Sequence, residues 1–363
     1  MSDESHMRAA LALAARGLGN TWPNPAVGCI LLAANGRVVG RGWTQPGGRP
    51  HAERRALDQA GAAARGATAY VTLEPCAHHG HTPPCAEGLI AAGVARVVTA
   101  LTDPDPRVAG RGHAMLRAAG IAVTEGICGP EARALNAGFL KRVEQGLPFV
   151  TLKLATTLDG RIATAGGESR WITAGQARRA VHAMRLAHDA VMVGAGTALA
   201  DDPDLTVRDM GAAHQPLRIV LDSHLRHSPD SRLGRSARAV PVWMVHGPEA
   251  AAAARAAWAA TGAEVIEIAT TTGGSIDLRM ALSALAARGL TRIFCEGGGT
   301  LAAGLIRAGL VDELAHLSAG CLIGAEGLPS LAGLGLQALS EAPRLRLIGV
   351  EAVGPDVLTR WAI

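Results

Sequence analysis

His51 and Glu53 stand two residues apart, and Cys76 and Cys85 follow, each directly after a proline. One imidazole and two thiols are three good ligands for a tetrahedral zinc ion. Three protein ligands leave the fourth position to water, which marks a catalytic site and not a structural one. Glu53 is placed to handle the protons of that water. A purely structural site completed by His78, His79 or His81 is the alternative, and it gives Glu53 no task.

The elements that must hold these groups can be read around them. Met7 to Leu18 carries apolar residues at helical spacing and reads as a helix. Ala26 to Leu32 and Arg37 to Trp43 read as strands joined by an Asn35-Gly36 turn. A Gly/Pro-rich loop leads into a helix from about His51 to Gly61, which puts His51 and Glu53 at its start. Ala67 to Thr72 is a strand, Leu73 to Pro84 a loop carrying Cys76, and Ala86 to Ala92 a helix opened by Cys85 and closed by Gly93. Helix starts carry partial positive charge, which favours thiolate over thiol. Val94 to Leu101 is the next strand, and helix and strand alternate to about Ile127. A helix over Glu131 to Arg142 precedes Gly146-Leu147-Pro148, where a first domain is expected to end.

The second half restarts the α/β pattern without repeating the first. Strands are expected at Phe149–Ala155, Ala190–Gly194, Leu217–Asp222, Val240–His246 and Arg292–Glu296, with helices over Gln176–Leu186 and Gly247–Thr261. There is no G-x-G-x-x-G. Instead Glu296-Gly297-Gly298-Gly299-Thr300 joins a strand to a helix, where backbone amides can approach a phosphate. A tight turn without a ligand is the plainer reading of that stretch taken alone. The predicted domains are 1–146 and 147–363.

With 363 residues, 48% of them hydrophobic, the chain can bury two large cores. The net charge of +4 is scattered and aromatics are 3%, which speaks against a nucleic-acid surface. Arginine almost replaces lysine, and Lys141 and Lys153 are the only lysines. Met1 to Arg8 is polar and no apolar run is long enough for a membrane span, so a cytoplasmic protein with reduced thiols is expected. Cys29, Cys128, Cys295 and Cys321 are expected in the core.

The first cluster follows the H-x-E…P-C…C logic of zinc-dependent nucleobase deaminases. Its thiols are separated by eight residues, and the polar Ala77–Pro84 insert is expected to wall the substrate pocket. The full run Glu74-Pro75-Cys76-Ala77-His78-His79-Gly80-His81-Thr82-Pro83-Pro84-Cys85 resembles the deaminase half of the bifunctional riboflavin-biosynthesis deaminase/reductases. So do Pro23-Asn24-Pro25-Ala26-Val27-Gly28 and Asp103-Pro104-Asp105-Pro106 with Val108-Ala109-Gly110-Arg111-Gly112. Leu152 to Arg161, Glu168 to Thr173 and Gly194 to Arg208 resemble the reductase half, so the likeness covers essentially the whole chain.

That resemblance implies a cytidine-deaminase-like three-layer domain followed by a dihydrofolate-reductase-like domain, with Zn2+ and NADPH as cofactors. It implies His51, Cys76 and Cys85 as metal ligands, and Glu53, Lys153 and Asp201 as catalytic residues. Asn24, Ser169, Arg185, Leu205, Arg208 and Glu296 match substrate positions, with Arg185 and Arg208 suited to a phosphate. Ala155, Trp171, Thr197, Asp201, Ser223, Gly298, Gly299, Thr300, Leu301, Ala302, Ala303 and Gly304 match cofactor positions. Either Ser223 or Arg226 is placed to read the cofactor's 2′-phosphate. Small pyrimidine ribosyl phosphates are the expected substrates, and a homo-oligomer is expected, without nucleic-acid or membrane partners.

The chain departs from the family pattern in several places, among them Gly320-Cys321, where the family often has proline and lysine. Thr44 replaces a usual histidine, His81 a usual lysine or arginine, and Arg54-Arg55 a usual Val-His. Arg55 or a protonated His81 is expected to compensate. The rival functions are an RNA-editing deaminase with an appended domain, a non-catalytic zinc-stabilised binding protein, and a family member with a diverged deaminase pocket.

Overall fold

A computed structural model describes residues 2–79, 83–212 and 214–363. The chain divides into two compact units, Met1–Leu147 and Pro148–Ile363. His81 lies outside the described residues.

The first unit has strands β1 (Gly28–Leu32), β2 (Val38–Trp43), β3 (Thr68–Val71), β4 (Arg96–Thr99) and β5 (Ala122–Thr124). Its helices are α1 (Asp3–Ala14), α2 (Ala52–Ala60), α3 (Cys85–Ala92), α4 (Arg111–Ala118), α5 (Gly129–Leu135) and α6 (Ala137–Gln145). The sheet order is β2-β1-β3-β4-β5. β1 runs antiparallel to both neighbours, and β3, β4 and β5 are mutually parallel. β2 and β3 therefore point the same way, and α2, α3 and α4 all begin where β2, β3 and β4 end. Two glycines let α2 lie directly on β2. A Cβ at Gly42 would sit 2.1 Å from the Ala52 carbonyl oxygen, and one at Gly40 2.2 Å from that of Ala56.

The boundaries differ from the sequence reading where side chains cap the backbone. α1 begins at Asp3, four residues early, because Ser2 Oγ accepts the Ser5 N–H at 3.3 Å. The helix expected over Glu131–Arg142 is two helices. Asn136 breaks it, accepting the Ala26 N–H at 3.0 Å and donating to the Ala26 carbonyl at 3.0 Å. Gly93 closes α3 in the left-handed conformation, as expected, with φ 70°.

The second unit holds β6 (Phe149–Thr157), β7 (Arg161–Ala163), β8 (Ala190–Gly194), β9 (Leu217–Leu221), β10 (Val242–His246) and β11 (Glu264–Glu267). It continues with β12 (Arg292–Cys295), β13 (Glu313–Ala319), β14 (Leu328–Pro329), β15 (Arg346–Val353) and β16 (Asp356–Ala362). Its helices are α7 (Gly175–Leu186), α8 (Ala195–Asp201), α9 (Arg232–Arg235), α10 (Ala252–Ala260), α11 (Leu278–Ala287) and α12 (Gly299–Arg307). One nine-stranded sheet runs β11-β10-β9-β8-β12-β6-β13-β16-β15. β11 through β13 in that order are parallel, and β16 and β15 close it antiparallel. The near-continuous burial of β8 and β9 reflects a parallel sheet covered on both faces.

The helix expected over Gly247–Thr261 starts only at Ala252, after a turn. Cys29 and Cys295 are core residues, but Cys128 is half-buried and Cys321 exposed, contrary to expectation. Both lie at loop positions beside glycine, outside the strands that make the core. Among the described residues no helix is long and apolar enough to cross a membrane.

Gly42→Ala should push α2 off its strand and cost about 1–3 kcal/mol of first-unit stability. Thermal melts with zinc analysis should show a lower midpoint and weaker metal retention. An unchanged melt would contradict the close-packing account.

Candidate functional site

Three of the predicted residues converge at the carboxyl ends of β2 and β3. His51 is the N-cap of α2 and makes no cap bond, so its imidazole is directed to the thiols instead. Its Nδ1 lies 3.3 Å from Cys85 Sγ and 3.7 Å from Cys76 Sγ, and all three ligand atoms lie within 4.8 Å of one another. Tetrahedral zinc, with bonds of about 2.0 Å to nitrogen and 2.3 Å to sulfur, sets its ligands roughly 3.5–3.8 Å apart. The residues fit that ion. Among the described residues no other group of three potential ligands comes together, and His79 pairs with Glu87 at 3.0 Å. Neither His78 nor His79 completes a four-ligand structural site.

Without an ion the two thiols divide: Cys85 is pushed well up by its hydrogen bond to Cys76, by burial and by Glu53, and Cys76 goes the other way. Cys76 is pulled down to about 4 by a hydrogen bond from Cys85, with His51 and the Cys85 N–H (3.2 Å) adding to it against burial. Glu53 is 3% exposed, and burial pushes its carboxyl up to about 7. A carboxyl poised near neutrality beside a metal site can both take and return a proton. Asn24, Thr44, Arg49, His78, Asp103 and Arg107 line the pocket around these groups. Burial pushes the Asp103 carboxyl up to about 6. Arg55 is exposed and does not line this pocket, so the expected compensation by Arg55 fails; Arg49 and Arg107 are the pocket's guanidiniums. Thr44 is buried and spends its hydroxyl on the main chain, accepting the Val27 N–H at 2.9 Å.

Sequence reasoning gave Glu74 no role, and the structure gives it one. Its carboxylate accepts four backbone N–H bonds, from Asp103 (3.1 Å), Gly110 (2.9 Å), Gly112 (2.8 Å) and His113 (3.2 Å). It thereby ties the loop carrying Asp103, Asp105 and Arg107 to the start of α4. Gly112 is required there, since a Cβ would lie 2.0 Å from the Pro75 carbonyl oxygen. The available signal was an acid directly before Pro75-Cys76 and a Gly110-Arg111-Gly112 run after Asp103.

In the second unit, Lys153 on β6 and Glu296 after β12 meet with Nζ 4.0 Å from Oε2. Arg185 on α7 grips Glu296 with both arms of its fork, Nε to Oε1 at 2.5 Å and Nη2 to Oε2 at 3.0 Å. Burial would raise the Glu296 carboxyl, but Arg185 and Lys153 hold it below the usual range. Burial lowers the Lys153 ammonium, opposed by Glu296 and by Asp201. Arg185 Nη1 also donates to the Thr206 carbonyl at 2.7 Å. Its donors are therefore committed, and of the two arginines expected to hold a phosphate, Arg208 is the exposed one, 3.8 Å from Asp204.

The other predicted residues gather around this centre unevenly. Arg170 reaches Asp201 at 3.8 Å, which brings the Ser169–Trp171 segment to the end of α8. Trp171 is 67% exposed, with the Arg178 guanidinium 4.4 Å above its ring. Leu205 is buried with φ 53°, a strained turn that places the Thr206–Arg208 segment. Gly298 caps α12, and a Cβ there would lie 3.2 Å from Thr197 Oγ1. A Cβ at Gly299 would lie 3.1 Å from the Ser330 carbonyl oxygen. This helix start is a cradle of free amides suited to a dinucleotide's phosphates. Of the expected cofactor run, Ala302 and Ala303 are wholly buried and Gly304 packs toward Leu278. The side chains of Ala302 and Ala303 belong to the core, and Thr300 in the first turn is exposed. Ala155 lies on β6 two residues beyond Lys153, and Ser223 follows β9.

Comparison with known proteins adds a family. Residues 148–359 match the model described as RibD C-terminal domain, and residues 1–101 that of the cytidine and deoxycytidylate deaminase zinc-binding region. The chain is 45% identical to the riboflavin biosynthesis protein RibD of Escherichia coli, over 98% of each protein. It is 40% identical to RibD of Bacillus amyloliquefaciens, over 98% of this chain and 95% of that one. Among solved structures, Acinetobacter baumannii RibD superposes with a TM-score of 0.89 at 38% identity, covering 99% and 98%. A Thermotoga maritima diaminohydroxyphosphoribosylaminopyrimidine deaminase/5-amino-6-(5-phosphoribosylamino)uracil reductase gives 0.86 at 33%, covering 99% and 98%.

Glu74→Gln exchanges one acceptor oxygen for a donor and strands backbone N–H groups. First-unit stability should fall by about 2 kcal/mol in urea titrations, with zinc still bound stoichiometrically. Full stability in the variant would remove the clamp.

Proposed function

The chain belongs to the RibD family, bifunctional deaminase/reductases of riboflavin biosynthesis that use zinc and NADPH, and from that premise we propose how its residues divide the work. The first unit deaminates 2,5-diamino-6-ribosylamino-4(3H)-pyrimidinone 5′-phosphate. The second reduces the ribosyl group of the product, 5-amino-6-(5-phosphoribosylamino)uracil, to a ribityl chain. When bound, zinc supplies Lewis-acid activation of water and NADPH supplies the hydride.

His51, Cys76 and Cys85 hold the metal, and Glu53 does the proton work. It takes one proton from the attacking water and passes it to the ring nitrogen, then takes the remaining hydroxyl proton and passes it to the departing amine, which leaves as ammonia. Its burial suits both directions, because its carboxyl titrates near neutrality. Asn24 orients the ring. The single observation that carries this reading is a buried carboxyl beside one histidine and two cysteines at zinc-ligand separations.

In the second unit Lys153 orients the ribose hydroxyl and holds a proton for the opening sugar. Glu296 opposes the lowering of that ammonium by burial and, with Arg185, shapes the substrate wall. Arg208 holds the substrate phosphate, and Ser169 and Leu205 bound the ribose. Asp201 holds ribose or cofactor hydroxyls. Ala155, Trp171, Thr197, Ser223 and the Gly298–Leu301 turn receive the cofactor. The domain division follows the two units, and the protein is a cytoplasmic homo-oligomer without nucleic-acid partners. Its scattered +4 charge supports the last point.

Glu53→Gln should lower ammonia release by at least about 100-fold. Bound zinc and reduction of preformed aminouracil should be unchanged. Loss of zinc in that variant would contradict the proton-transfer role.

A further inference from the structure

β6 carries Lys153 and Ala155 and ends at Thr157. The chain turns back at Leu158-Asp159-Gly160, where the Gly160 N–H donates to the Thr157 carbonyl at 3.0 Å. It returns as β7, which pairs antiparallel with β14. β14 belongs to an extended strap, residues 320–332, that follows β13. The strap reaches from this turn to the start of α12. At one end the Leu158 N–H donates to the Cys321 carbonyl at 2.9 Å. Asp159 Oδ2 accepts the Gly324 N–H at 2.7 Å, and both carboxylate oxygens lie 3.3 Å from the Ile323 nitrogen. At the other end the Ser330 N–H donates to the Gly160 carbonyl at 3.2 Å, and the Ala332 N–H to the Gly299 carbonyl at 3.1 Å. Gly299 opens α12, and a Cβ on it would lie 3.2 Å from the Ala332 nitrogen.

Hydrophobic burial does little to hold this strap. Gly327 is its one buried residue, and Leu322 and Leu328 are 72% and 45% exposed. A segment with few buried apolar contacts opens locally unless polar ties hold it. Asp159 supplies such a tie, and its own side chain is fixed by the Thr157 hydroxyl, which donates to Oδ1 at 2.5 Å. The same hydroxyl oxygen accepts the Arg161 N–H at 2.9 Å, which fixes the far side of the turn. Thr157, Gly324 and Ile323 together hold the Asp159 carboxyl down at about 2, so it stays an acceptor at neutral pH.

We infer that Asp159 is a positioning residue of the reductase: by anchoring the strap it holds the start of α12 ordered for the dinucleotide. It acts through the strap and Gly299, not by contact with either ligand. A cradle that is already ordered spares binding the cost of ordering it. The inference rests on the reductase reading of this unit.

The test combines equilibrium NADPH binding to the full-length protein, steady-state reduction of the preformed aminouracil, and amide hydrogen exchange. Asp159→Ala should weaken NADPH binding and raise its KM by at least about fivefold. The kcat and the KM for the aminouracil should stay within about twofold, with ammonia release unchanged. Exchange across residues 320–332 should quicken. Asp159→Asn keeps one acceptor oxygen and should recover part of the NADPH affinity. Quickened exchange with unchanged NADPH affinity would make the carboxylate merely structural and overturn the inference. So would unchanged exchange, or equal weakening of NADPH and aminouracil. If Asp159→Ala does not fold, Asp159→Asn must still weaken NADPH selectively. Wild-type protein that binds no NADPH would refute the reductase reading itself, whereas wild-type binding that survives in Asp159→Ala refutes only the role of Asp159.

Discussion

Parallel strands impose one constraint on which both sites depend. A strand in such a sheet hands its chain to a helix at its carboxyl end, and the first N–H groups of that helix have no partner within it. In the first unit α2, α3 and α4 start at one edge, and His51, Cys85 and the loop held by Glu74 stand at those starts. In the second unit α8 and α12 start beside each other after β8 and β12. The chemistry is therefore grafted at positions where backbone donors and helix dipoles already favour negative charge. Cys76, pulled toward the thiolate, answers that field in one unit, and the proposed cofactor phosphates would answer it in the other.

Each site then adds one buried ionisable group whose charge is expensive. Glu53 lies out of water beside the metal ligands, and Lys153 lies out of water beside Glu296 and Arg185. Burial alone would neutralise both. The first is left near neutrality, as proton exchange requires. Burial lowers the second, and a carboxylate that two cations hold below its usual range opposes that shift. Removing Glu296 would strand two positive charges in a dry site, so its role in structure and in chemistry cannot be separated by one truncation.

Much of this was legible in the sequence, because metal ligands and glycine turns are specified by residue type. His51, Glu53, Cys76 and Cys85 were readable since few other tasks need that set at that spacing. Lys153 stood out in a chain that otherwise uses arginine. What was not readable depends on partners distant in sequence. Asn136 splits a helix only because Ala26 lies against it, 110 residues away. Glu74 becomes a clamp only when the loop at 103–113 folds back upon it. Arg185 reads as a phosphate ligand until Glu296 fills its fork. Among the last strands, β15 carried too little alternation to be recognised, being exposed along most of its length, whereas β13 alternates strictly in burial and went unread.

The most direct test of two independent sites in one chain is a paired assay on the full-length protein. The diaminopyrimidine ribosyl phosphate is supplied with NADPH, and ammonia release and NADPH oxidation are followed separately, with and without a zinc chelator. The account predicts both signals without chelator. With chelator, ammonia release stops while preformed aminouracil is still reduced. Ammonia release that survives complete zinc removal, or reduction of the preformed aminouracil that disappears with it, would contradict the account.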